Sequence, residues 1–269
     1  MTRPAQALLA IVVAAAAMIP VSAASAAERA EAIRYPYVAA LSRGAEGERV
    51  YFCAGTLVAP DWILTAAHCF HSRSGQRISA RGLWAVVGRD RLRTAEAQAQ
   101  MRVASVIIHP GYEHATQADD LALVQLAEIA GPLIAELPAP GSADPGPATT
   151  IGFGSFYEGR LAARALSATG APTAQLSDQL RRADVTLVEP VQCDSRLGAA
   201  GARLCATAGR DEACTGDSGG PLVRERPDGV AVVIGVVSQG TGCAEPDPLI
   251  AYTDVTAHRD WISATIFPR

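Results

Sequence analysis

Three short segments hold the residue types of nucleophilic acyl transfer: Thr65-Ala66-Ala67-His68-Cys69, Asp119-Asp120-Leu121-Ala122-Leu123 and Gly216-Asp217-Ser218-Gly219-Gly220-Pro221. A serine hydroxyl is un-ionised at neutral pH. It attacks a carbonyl only with a base beside it, and that base needs a partner to fix its tautomer. Ser218 has the chemistry of the nucleophile, and His68 that of a general base and then acid. Asp120 has the chemistry of the orienting carboxylate, with Asp119 as its competitor. Gly219 and Gly220 would let the backbone turn sharply after the serine. The bland readings are a turn serine in a glycine-rich loop, structural histidines, and an acidic residue that merely starts a strand. His71, His109, His114 and His258 are given the structural reading.

Scattered side chains need a rigid frame. Val50 to Val58, Met101 to His109, Asp184 to Val188 and Val230 to Ser238 are short runs rich in Val, Ile, Leu and Thr between Gly/Pro breaks, which predicts strands. Val255, Arg259, Ile262 and Ile266 recur at helical spacing, with Trp261 nearby. The expected fold is therefore all-β, ending in one helix. Alternating strands and helices are not indicated. Ser155 to Ser177 reads as a surface excursion.

The chain has 269 residues. Arg3, the apolar run Ala7 to Ile19 and the small-residue tail Ser22 to Ala27 predict a cleaved export signal over residues 1–27. Ala24-x-Ala26 and Ser25-x-Ala27 are both acceptable cleavage sites. The apolar run is shorter than the roughly 20 residues that span a bilayer. The remaining 28–269 suffices for one large β unit or two small ones. Net charge is −4 and no basic stripe suggests nucleic acid. No later segment suggests a membrane span. All 23 basic residues are Arg, and neither Lys nor Asn occurs, which reads as the codon bias of a GC-rich bacterial genome and excludes N-glycosylation. The expected location is secreted or periplasmic, and the default state is a monomer.

Cys53, Cys69, Cys193, Cys205, Cys214 and Cys243 form an even set behind an export signal, which implies disulfides, and the sequence by itself permits fifteen pairings. There is no Cys-x-x-Cys pair, and the histidines do not cluster near cysteines at ligand spacing, so no zinc site is expected. The Gly88 to Gln100 segment lacks a set of acidic calcium ligands, leaving Glu96 a solvated charge. No cofactor is implied.

Gly216-x-Ser218-x-Gly220 by itself also fits the nucleophile elbow of α/β-hydrolases. Those run Ser, acid, His, whereas this chain runs His68, Asp120, Ser218. In that order the motifs resemble the chymotrypsin/trypsin family of serine endopeptidases, from about Tyr35 to the C-terminus. The resemblance implies two six-stranded antiparallel β-barrels with a C-terminal helix, the first over about 28–136 and the second with the helix over about 137–269. Leu137 to Ala148 would connect them, and the reactive groups would sit in the cleft between. It further implies catalytic His68, Asp120 and Ser218, with the acid directly before the apolar run. The N–H groups of Gly216 and Ser218 would form the oxyanion hole. Ser238, in Val237-Ser238-Gln239-Gly240, would stand beside the acid and begin the segment that pairs with substrate backbone. The implied disulfides are Cys53–Cys69, Cys193–Cys205 and Cys214–Cys243. Gly152-Phe153-Gly154 stands where the family usually has Gly-Trp-Gly, and His109-Pro110-x-Tyr112 resembles a family strand-end feature.

Two departures stand out. Glu212 falls at the base of the specificity pocket where trypsin-like members carry Asp, and Asp211 would occupy that place if the loop held one more residue. Gly240 would leave the pocket entrance open. Ile250 falls where those members have glycine, and a branched side chain there narrows the slot. Cleavage after basic residues follows from the acid, cleavage after small or medium apolar residues from Ile250. The family's Ile-Val-Gly-Gly start, whose freed amine pairs with the acid before the nucleophile (here Asp217), is absent, so no conventional propeptide step is expected. The leading expectation is a secreted serine endopeptidase acting on polypeptides, with a protein inhibitor as an admissible partner. A protease-like binding or regulatory protein is the alternative, and esterase work on small substrates a third.

Overall fold

A computed structural model describes residues 35–45, 49–92, 100–140, 145–153, 179–198, 200–208, 218–241 and 248–268. Strand period dictates the architecture. In β8 (Arg181–Val188), Ala183, Val185 and Leu187 are buried while Arg182, Asp184 and Thr186 are exposed. Side chains two apart share a face, so this sequence can lie only as one wall of a half-buried sheet.

The first barrel comprises β1 (Val38–Arg43), β2 (Val50–Ala59), β3 (Trp62–Thr65), β4 (Leu83–Val87), β5 (Met101–Ile108) and β6 (Ala122–Leu126). Its strands run in the closed order β1-β2-β3-β6-β5-β4. The second comprises β7 (Gly146–Gly152), β8, β9 (Arg203–Ala208), β10 (Pro221–Glu225), β11 (Ala231–Gly240) and β12 (Leu249–Asp254), closed as β10-β11-β12-β9-β8-β7. All these pairings are antiparallel. Among the described strands closure leaves no unpaired sheet edge to template aggregation. The chain crosses between barrels at Ala135 and Glu136: Ala135 N–H donates to Leu57 O in β2, and Glu136 N–H to Ala231 O in β11.

A continuous apolar cluster joins the barrels. Leu57, Ile63, Leu64 and Leu123 from the first share it with Ile151, Phe153, Val223 and Val236 from the second. Phe153, where the family usually has Trp, is buried and packs edge-on against Tyr51 of β2 at 5.8 Å. A short helix, α1 (Val191–Leu197), was not anticipated. The C-terminal helix α2 (Val255–Ile266) was. Its Asp254 cap accepts from Thr256 N–H at 2.8 Å, a contact worth about 1 kcal/mol. Its buried stripe is Val255, His258, Ile262 and Ile266, so His258 takes the inward place expected of Arg259.

Cys53–Cys69 ties β2 to a 3-10 turn (Ala67–Phe70), and Cys193–Cys205 ties α1 to β9. Cys214 and Cys243 lie outside the described residues.

Candidate active site

His68 sits in the 3-10 turn, directly before disulfide-bonded Cys69. Asp120 ends the turn leading into β6 and has no exposed surface. Three donors converge on its carboxylate. His68 N–H donates to Oδ1 at 2.8 Å, His68 Nδ1–H to Oδ2 at 2.7 Å, and Ser238 Oγ–H to Oδ2 at 2.6 Å. Thr253 Oγ–H adds a 3.1 Å bond to the Asp120 carbonyl. Burial pushes the Asp120 carboxyl up. The His68 charge and the hydrogen bonds from His68 and Ser238 outweigh that and hold it below the usual carboxylate range. The Tyr112 hydroxyl is pushed upward, first by burial and then by the Asp120 charge.

Two backbone features decide where these side chains point. Asp119 has φ of 48°, in the left-handed region that Asp tolerates better than most residues. The turn sends neighbouring carboxylates to different partners: Asp120 to His68, Asp119 to His258 at 2.9 Å. The β11–β12 register shifts between Val237 and Gln239, which leaves Ser238 out of the ladder. Such a bulge re-aims a side chain, and here it delivers Ser238 Oγ to Asp120.

Ser218 reaches the same seam through its backbone. Its carbonyl accepts from Ala54 N–H at 2.9 Å, next to the Cys53 whose disulfide partner Cys69 adjoins His68. On the other side Gly219 N–H donates to Val237 O at 2.9 Å, and Val237 N–H returns to Gly220 O at 3.0 Å. Gly219 has φ of 79°, and a Cβ there would overlap Thr65 Oγ1 and lie 2.6 Å from Ala54 O. Only glycine fits so close to β2.

The sequence model of the trypsin family, described simply as Trypsin, matches residues 25–262. The chain belongs to the trypsin family. It is 36% identical to coagulation factor XII of Sus scrofa over 250 residues, covering 85% of this chain and 37% of that protein. It is 34% identical to serine protease 56 of Mus musculus over 226 residues, 78% of this chain and 34% of that protein. The venom peptide isomerase heavy chain of Agelenopsis aperta is 29% identical over 243 residues, 85% of this chain and 94% of that protein. This trypsin-family chain thus spans little more than a third of the length of the curated relatives it first matches. Those named here are animal proteins and lend no support to the bacterial source read from composition.

Within the trypsin-family frame the arrangement can move a proton. Nδ1–H is committed to Asp120, so in the neutral ring Nε2 keeps its lone pair and can take a proton from an alcohol. Gly240 ends β11 exposed, and a Cβ there meets only Leu249 O at 3.5 Å. Ile250 lies across from Gly240 in register and is buried among Val237, Leu204 and Tyr252. Asp211, Glu212, Gly216 and Asp217, together with residues 1–34, lie outside the described residues. Sequence reasoning missed Thr253 as a support of Asp120, and it left His109 and His258 as isolated structural residues. Fold topology, not sequence spacing, brings these together. Among the described residues no helix is long and apolar enough to cross a membrane.

Proposed function

We propose that this chain is a serine endopeptidase that hydrolyses polypeptides through an acyl-enzyme. Ser218 Oγ attacks the carbonyl carbon of the scissile bond while its proton passes to His68 Nε2. Asp120 stabilises the resulting imidazolium, and the N–H groups of Gly216 and Ser218 hold the developing oxyanion. His68 then gives its proton to the departing amine as the C–N bond breaks. Water repeats the attack on the acyl-serine, losing a proton to His68, and Ser218 is restored. The observation that carries this reading is the buried Asp120 carboxylate facing both His68 Nδ1 and Ser238 Oγ, beside a backbone seam that holds Ser218. Hydrolysis of an unfolded protein substrate that vanishes in Ser218→Ala tests it. A folded parent chain that cleaves neither peptides nor activated esters would favour a protease-like binding protein instead.

Cleavage after basic residues is the preferred specificity, resting on Glu212 and on the open space at Gly240. Ile250 argues for smaller apolar residues. The ratio of kcat/KM for Arg-containing and Ala- or Val-containing peptides decides, and a preference for Ala or Val removes the basic reading. Export follows from the signal-like residues 1–27, and two disulfides support an oxidising compartment.

A further inference from the structure

The geometry points to a second site: His109, Asp119 and His258 form a binding site for one divalent cation of the Zn2+ class. His109 directly follows β5, Asp119 lies in the turn before β6, and His258 sits in α2. Their ligand atoms all lie within 4.8 Å of one another. His258 Nε2 is 2.9 Å from Asp119 Oδ1, and His109 Nδ1 is 3.8 Å from Asp119 Oδ2. Ligand atoms about 2 Å from a tetrahedral ion lie about 3.3 Å apart. The two observed edges straddle that value.

The hydrogen-bonding pattern is compatible with such a site. The Asp254 carbonyl can only accept, so His258 Nδ1 carries a hydrogen toward it at 2.7 Å. In the neutral ring Nε2 then presents a lone pair to a carboxylate oxygen at 2.9 Å. Two electron-rich atoms at that distance repel unless a positive particle, a proton or a metal ion, lies between them. A ring N–H donated to a backbone carbonyl is also the outer contact that fixes metal-binding histidines. Gly111 N–H donates to His109 Nδ1 at 3.1 Å, so that nitrogen carries the lone pair, and it is also the one that approaches the Asp119 carboxylate; an ion bound there takes that lone pair in place of the Gly111 N–H. Trp261 packs edge-on against the His109 ring at 4.7 Å and limits its rotation.

Gly111 keeps the site open. A Cβ at that position would overlap Asp119 Oδ2 and lie 3.3 Å from His109 Nδ1. The Asp119 side chain is 30% exposed, which leaves a path for entry. Two imidazoles and one carboxylate suit Zn2+, with Cu2+ and Ni2+ as competitors, and suit Ca2+ and Mg2+ poorly. A second grouping, Cys53, His68 and Cys69, is disabled because both sulfurs are in a disulfide.

The test uses the full chain carrying His68→Ala, so that zinc cannot bind the active-site imidazole, after removal of metal by a chelator. Isothermal titration with Zn2+ is expected to give one saturable site, and Co2+ to give visible d–d absorption without a sulfur charge-transfer band. Adding His109→Gln or Asp119→Asn should each weaken Zn2+ binding about tenfold or more. Zinc should raise the thermal midpoint of the His68→Ala chain and not that of the Asp119→Asn variant. Urea midpoints of the metal-free variants establish that both are folded. No saturable binding, or equal affinity with and without the two substitutions, overturns the site; the second result would put the ion elsewhere, at His71 or His114.

Discussion

Gly219→Ala tests how the two barrels hold Ser218. The new Cβ overlaps Thr65 Oγ1, lies 2.6 Å from Ala54 O and 3.1 Å from Ala66 N, and must adopt φ of 79°. The left-handed conformation costs a non-glycine residue about 1–2 kcal/mol. Relieving the overlap moves residues 218–220 off β2, at about 1–3 kcal/mol of strain. The move also breaks the 2.9 Å bond from Ala54 N–H to Ser218 O, worth about 1 kcal/mol. The expected loss is about 3–6 kcal/mol, a large share of the roughly 5–15 kcal/mol that stabilises a typical domain. Urea unfolding followed by tryptophan fluorescence measures it. A displacement of about 1 Å at the nucleophile should also slow hydrolysis about 10²-fold. Gly229→Ala is the control: it shares the positive φ, at 81°, but a Cβ there meets nothing within 4 Å. It should cost only about 1–2 kcal/mol and leave the rate unchanged. A Gly219→Ala protein as stable as Gly229→Ala and hydrolysing at the parental rate would refute the seam as the device that positions Ser218.

Ser238→Ala removes one of two donors to Asp120 Oδ2 and should cost about 1.5–3 kcal/mol in urea melts, with Ser238→Thr recovering part of it. Asp120→Asn should lower kcat about 10⁴-fold by presenting the wrong partner to Nδ1, read with a peptide substrate. The same variant has a pH signature. Folding lowers the Asp120 pKa, so its ionised form contributes stability that is complete above the unfolded value near about 3.9 and lost as pH falls through the lower folded value. The stability gap between parent and Asp120→Asn should therefore change as pH falls below about 4. A gap that stays level from about pH 5 down to about pH 2 would contradict the assignment. Replacing Cys53 and Cys69 together by Ser releases a loop of separation 16 and should cost about 3 kcal/mol, read as a lowered urea midpoint.

Much of the frame was legible because strand period survives in the sequence. The alternation in β8 and the apolar runs of β2, β5 and β11 are local patterns, and closing two barrels is the way to bury such faces without edges. The C-terminal helix was legible too, but the inward place at His258 was not. A histidine reads as polar until its Asp119 and Asp254 partners are known. The choice between Asp119 and Asp120 depends on one positive φ, which adjacent identical residues do not reveal. The bulge at Ser238 is a property of the β11–β12 pair rather than of either strand, so no single-strand pattern carries it. The pairing of Cys53 with Cys69 came from family resemblance, since spacing leaves every pairing open. The cation site is invisible in sequence because its three ligands meet only when α2 folds back beside the end of β5.

The central claim is that His68, drawn against Asp120, activates Ser218. Labelling the folded chain with a fluorophosphonate and mapping the adduct by peptide mass spectrometry tests it most directly. One adduct is expected, on Ser218, that disappears in His68→Ala while the fold persists. An adduct on another serine, or labelling of Ser218 that survives loss of the imidazole, would contradict it.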